Sequence, residues 1–167
     1  VINISIIGIG NILLGDDGFG VHFINYLRER KSIPEDIALI DGDIDTFSIA
    51  NYLSESKLAI LVDACNFKDG PPGSIEKIFV EPQKLKALEN NLSVHSRSLK
   101  DAVLLASIER DDLNLIIYAV QVDCVEPKLQ LSAELRKDFP ILEEKILADI
   151  KIFKEEEKYG QKSACHR

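Results

Sequence analysis

Asp16 and Asp17 stand side by side in a loop that also carries five glycines, Gly8-Ile9-Gly10-Asn11-Ile12-Leu13-Leu14-Gly15-Asp16-Asp17-Gly18-Phe19-Gly20. Asp63 closes the apolar run Leu58-Ala59-Ile60-Leu61-Val62, and His95 stands just ahead of a helical pattern. Two carboxylates (Asp17 and Asp63) and one imidazole (His95) form a ligand set suited to a divalent transition metal, with positions left open for substrate. No two of the three lie at a local metal-binding spacing, so such a site exists only if the fold assembles it. Each residue also has a plainer reading. The aspartate pair can cap the following helix and oppose its dipole, Asp63 can close a turn, and a loop histidine can hydrogen-bond in solvent.

The glycines invite a different chemistry. A dinucleotide loop needs Gly-x-Gly-x-x-Gly at a strand-to-helix turn. Gly8 and Gly10 fit, but the third position is Leu13, and Asp16 and Asp17 would repel a phosphate. With Asp41 placed for a ribose after the second strand, a nucleotide-binding α/β protein stands as the alternative. Serine and zinc peptidase motifs of the Gly-x-Ser-x-Gly and His-Glu-x-x-His types are missing. A pepsin-like pair of Asp17 and Asp63 sharing a proton would leave His95 without a role. Cys65, Cys124 and Cys165 are too few and too scattered for a disulfide framework or a Cys-x-x-Cys site. Cys65 and Cys124 read as reduced core residues, and His22 as solvated beside Asn25 and Glu29. The terminal Cys165-His166 pair can take up metal adventitiously.

The elements that must position these residues follow from periodicity. Ile2 to Ile7 predicts a first strand, and Val21, Ile24 and Leu27 a helix over about Asp17 to Arg30. Ile37 to Asp41 reads as strand two. A polar loop, Gly42 to Thr46, follows, and then a helix capped by Asp45 or Thr46. Leu58 to Val62 is unbroken, which implies burial on both faces and a central parallel strand. Gly70-Pro71-Pro72-Gly73 is a turn, and Ser74 to Val80 reads as strand four, antiparallel after a tight hairpin from strand three. Pro82 to Leu88 reads as a short helix, with another continuing from Leu99 through Ala106. Leu113 to Val122 is strand five, and Ser132 caps a last helix that Pro140 kinks or interrupts.

This order predicts one three-layer α/β/α domain with a mostly parallel sheet, spanning 1–153, followed by a charged tail over 154–167 that frays. If strands one and three are neighbours, Asp17 and Asp63 share the carboxyl edge, where open α/β sheets bind ligands. A chain of 167 residues, 46% apolar, can bury one core. Its net charge of −8, without a basic run, excludes nucleic acid as an expected partner. No apolar stretch approaches the roughly 20 residues needed to span a bilayer, and no signal peptide is visible. The expectation is a cytoplasmic protein that does not engage membranes.

The loop Gly8 to Gly20 closely resembles the opening of the nickel–iron hydrogenase maturation endopeptidases. The resemblance continues through Asp41-Gly42, Val62-Asp63-Ala64, Pro72-Gly73, His95 four residues before Leu99, Gln121 and Glu126-Pro127, covering roughly residues 2 to 150. It implies a twisted five-stranded sheet between helices. It also implies an enzyme that removes a C-terminal extension from the hydrogenase large-subunit precursor after nickel insertion. The metal-contacting residues it implies are Asp17, Asp63 and His95, with nickel supplied by the substrate and zinc or cadmium as surrogates. Asp17 replaces a frequent Glu, and Asp43 and Asp45 stand where relatives often have Gly-Gly-Thr. Asp16 is close enough to act as general base, or else to cap the helix. A large, specific partner suggests that the enzyme is a monomer.

Overall fold

The computed structural model describes residues 3–66, 70–80, 97–110, 112–122 and 125–164. The elements are β1 (Ile4–Ile9), a 3-10 turn (Gly15–Gly18), α1 (Phe19–Arg30), β2 (Ile37–Asp43), α2 (Thr46–Glu55), β3 (Leu58–Cys65) and β4 (Ile75–Val80). They continue with α3 (Arg97–Glu109), β5 (Asn114–Gln121), α4 (Ala133–Arg136) and α5 (Phe139–Ala164). The five strands form one sheet in the order β2-β1-β3-β5-β4, with β4 alone antiparallel.

Every residue of β1 and β3 is buried, as unbroken apolar runs in a parallel sheet require. Alternate side chains divide between two cores. Ile6, Ile60, Val62, Ile116 and Val120 face α1 and α5, where Phe19, Phe23, Leu142 and Ile146 cover them. Ile7, Leu61, Leu115 and Ile117 face α2 and α3, under Ile49, Leu53, Leu99 and Val103. Phe139 fixes α5 against α1 by edge contacts to Phe19 and Phe23, with centroids 5.2 and 5.4 Å apart. Each such buried side chain contributes about 2 kcal/mol of transfer free energy. The three-layer α/β/α expectation holds.

Several details differ from the sequence expectation. Strand four does not form a hairpin with β3, because β5 lies between them. The run Leu115 to Val120 is buried throughout, so it takes an inner position. β4 exposes Glu76, Lys77 and Phe79 and tolerates the edge. The turn before β4 is instead sewn to β5: Gly73 N–H donates to the Gln121 carbonyl at 2.9 Å, and Gln121 N–H to that of Ser74 at 2.8 Å.

α1 begins at Phe19 rather than Asp17, because the Asp pair occupies the 3-10 turn. β2 extends to Asp43, where a register shift lets Ile9 pair with it. Asp45, not Thr46, caps α2 by accepting the Ser48 N–H at 3.0 Å. The last helix is divided into α4 and α5. Pro140 falls in the first turn of α5, where its missing N–H costs nothing.

α5 then continues through Ala164, so most of the span expected to fray is helical. Lys154 holds Asp36 at 2.7 Å, and Glu157 accepts from Lys57. The expected helix at Pro82 to Leu88, together with His95, Cys124 and Cys165-His166, lies outside the described residues.

Candidate functional site: a carboxylate pair at the sheet's carboxyl edge

β1 and β3 are neighbours, with β2, the strand after β1, on one side of the pair and β5 and β4, the strands after β3, on the other. The crevice between them is therefore the switch point at which such sheets bind ligands. Asp63 sits near the end of β3, opposite Ala119 of β5, and is only 7% exposed. Asp17 reaches the same crevice from the 3-10 turn. Its Oδ2 accepts the Asn11 N–H at 3.0 Å, which holds the carboxylate against the loop it closes. The glycines make this approach possible. A Cβ on Gly10 would lie 1.9 Å from the Asp17 carbonyl oxygen, and one on Gly20 would lie 2.2 Å from that of Val62. They face backbone at contact rather than an open phosphate cradle.

The two carboxylates repel each other across the crevice. Burial, reinforced by the Asp17 charge and partly offset by the Ala64 N–H, pushes Asp63 up to about 7. Cys65 shares the face of β3 with Asp63, and its thiol is pushed up to about 12 by burial and then by Asp63, Glu76 and Asp17. It is a neutral core group, as its sequence context suggests, and not a nucleophile. Asp41 is exposed, and its Oδ1 accepts the Asp43 N–H at 3.1 Å.

Asp16 is 8% exposed, and no side chain caps the turn it occupies. Its Oδ1 accepts the Ser132 N–H at 2.7 Å, tying the first loop to the segment that returns from β5. Gly15, Asp16, Pro72, Glu126, Lys128, Ser132 and Glu134 line a cleft of about 320 Å³ beside this bond. Glu76 went unnoticed in the sequence. It pairs with Ala119 from the far side, so Asp63, Ala119 and Glu76 form one cross-strand row. Only the β4–β5 register reveals it.

His22 corrects another expectation. It is half-buried near Arg136 rather than fully solvated, and its Nε2 is buried without a hydrogen-bond partner among the described residues. Burial and the Arg136 charge hold it below the usual histidine range, with Asp16 opposing. Among the described residues no cluster of three or more potential metal ligands forms. The structure therefore brings Asp17 and Asp63 together as a pair, and His95 lies outside the described residues.

Fold and crevice together define a doubly wound α/β protein with a pair of carboxylates, one of them buried, at its switch point. Residues 21–149 match the family model of the hydrogenase maturation proteases (HycI), and the chain belongs to that family. This match begins after the Gly8–Gly20 loop, so it supports the resemblance independently of the motif that first carried it.

The hydrogenase 2 maturation protease of Escherichia coli K12 is 24% identical over 150 residues, covering 89% of this chain and 90% of that protein. The hydrogenase expression/formation protein HupD of Bradyrhizobium diazoefficiens is 27% identical over 105 residues, covering 63% of this chain and 54% of that protein. This chain spans about half the length of HupD and of the HupM and HoxM proteins it also matches. Among solved structures, the hydrogenase maturating endopeptidase HybD from E. coli superposes with a TM-score of 0.76 at 24% identity, covering 90% of this chain and 93% of that one. The maturation protease HycI from Thermococcus kodakarensis KOD1 gives 0.66 at 25% identity, covering 89% and 92%. No described helix is long and apolar enough to cross a membrane.

Proposed function

We propose that this protein is an endopeptidase that removes the C-terminal extension of a nickel–iron hydrogenase large-subunit precursor once nickel has been inserted. Membership of the maturation protease family supports the reaction class. The observation that carries the metal-recognition part is the placing of a desolvated Asp63 beside Asp17 in one crevice. Two like charges, one of them buried, form an arrangement that a divalent cation relieves.

The cation belongs to the substrate, held there by its own ligands. Asp17 and Asp63 offer oxygen donors to it, and His95 adds an imidazole on the strength of the family resemblance. A substrate without metal leaves the two carboxylates uncompensated and binds poorly, so cleavage waits for metal insertion. Metal bound in this way polarises a carbonyl or lowers the pKa of an attacking water. Zinc and cadmium substitute for nickel in binding.

The test mixes the purified protein with nickel-loaded and nickel-free precursors and reads the product mass. Shortening of the loaded precursor alone is expected, with loss of cleavage in Asp17→Asn, Asp63→Asn and His95→Ala. Equal cutting of the nickel-free precursor would refute the metal-recognition role and leave the peptidase reading standing.

A further inference from the structure

Six large apolar side chains stand exposed at the carboxyl edge of the sheet. Ile12 and Leu13 follow β1, Ile44 and Phe47 lie at the β2–α2 turn, and Val125 and Leu129 lie between β5 and α4. Leu13, Phe47 and Leu129 are the most open of them, at 60%, 76% and 67% exposure.

The three segments that carry them are bonded to one another. Gly10 N–H donates to the Asp43 carbonyl at 3.1 Å, Gly15 N–H to the Lys128 carbonyl at 2.6 Å, and Lys128 N–H to the Leu13 carbonyl at 3.0 Å. The side chains therefore ride on a connected rim rather than on independent loops. These loops follow β2, β1 and β5, on either side of β3, so the rim borders the crevice holding Asp17 and Asp63.

Its charge is one-sided between β1 and Leu129. Asp41, Asp43, Asp45 and Glu126 are exposed along it against Lys128, while Glu134, further on in α4, is paired with Lys137 at 3.9 Å. A monomer seldom gathers exposed apolar groups around a functional crevice without a partner for them. A second copy of this chain is a poor occupant, because its net charge of −8 and its own acidic rim would meet like charge. An anionic membrane surface is repelled for the same reason.

We propose that this rim is the docking surface for a folded protein presenting an apolar patch bordered by lysine and arginine. Resting on the function proposed above, that protein is the large-subunit precursor itself. Apolar contact at the rim supplies affinity, and the acidic border supplies orientation and speeds encounter.

The experiment measures precursor binding and cleavage kinetics for the full chain and two classes of variant. The rim pair Leu13→Ser with Phe47→Ser is expected to weaken binding of the nickel-loaded precursor and to raise KM, each about tenfold or more, with a much smaller effect on kcat. A second rim pair, Ile44→Ser with Leu129→Ser, repeats the test if the first is unstable. The control pair Ile108→Ser with Ile152→Ser removes equally large exposed groups from α3 and α5, and is expected to match wild type. Higher salt is expected to slow association of the wild-type protein. Rim variants that bind and cleave like wild type, or a control pair that is weakened equally, would overturn the docking surface while the cleavage reaction stands. A wild-type protein that neither binds nor cuts the precursor would overturn the proposed function and this surface together.

Discussion

Replacing Asp63 with asparagine is expected to stabilise the metal-free protein above neutrality and to change how its stability depends on pH. Asp63 titrates at about 7 in the folded chain against an ordinary value of 3.8. Below about pH 4 both folded and unfolded states carry the proton, and the group costs nothing. As pH rises from there, the unfolded chain releases the proton while the folded one keeps it, so folding stability falls. The fall ends near the folded pKa. Above about pH 7 the full penalty applies, and at about 1.4 kcal/mol per pH unit it amounts to about 4 kcal/mol.

Asparagine keeps the shape and removes the charge. Like the protonated acid, it still accepts the Ala64 N–H, and the stronger bond of the charged form is already contained in the shift. The net expectation is a gain of about 4 kcal/mol near pH 8 that shrinks to about zero near pH 4. Urea unfolding with a chelator present, followed by circular dichroism across this range, gives both curves. Other titrating groups cancel in the difference between them. A difference that stays constant with pH would refute the account of Asp63 as a desolvated, repelled carboxylate.

Asp17→Asn removes the second cause of that shift and is expected to move Asp63 down toward the ordinary range, read by carboxyl carbon NMR titration. Gly20→Ala drives a methyl group toward the Val62 carbonyl, 2.2 Å from the new Cβ, and is expected to destabilise the fold by on the order of 3 kcal/mol in denaturant unfolding. Asp16→Ala leaves the Ser132 N–H without its acceptor, costing about 1 to 2 kcal/mol, with faster hydrogen exchange at that amide. Asp45→Ala strips the cap from α2 and is expected to cost about 1 kcal/mol in thermal or urea unfolding.

Much of the scaffold is legible because burial leaves a local record. Apart from Ser5 and Asp63, β1 and β3 are apolar, and only strands covered on both faces have that composition. The glycine loop and the alternation of strand with helix then place Asp17 and Asp63 at one edge, since neighbouring parallel strands end on the same side. A cap at Asp45 or Thr46, which falls on Asp45, and an interruption of the last helix near Pro140 follow equally from local chemistry.

Other features depend on what lies opposite, and no local window contains that. The turn signal before β4 was sound, yet β5 claimed the position beside β3 because its fully apolar run loses more by standing at an edge. Asp16 is a strut to Ser132, 116 residues further on, a bond fixed only when the return from β5 closes over the first loop. His22 is half-buried near Arg136 of α4, and Glu76 joins Asp63 across Ala119 through register alone. The sequence by itself determined the layers, the crevice and the two carboxylates at its mouth. Tertiary structure alone decided how strongly Asp63 is desolvated and opposed, because burial and charge separation are properties of the assembled neighbours and not of the residues themselves.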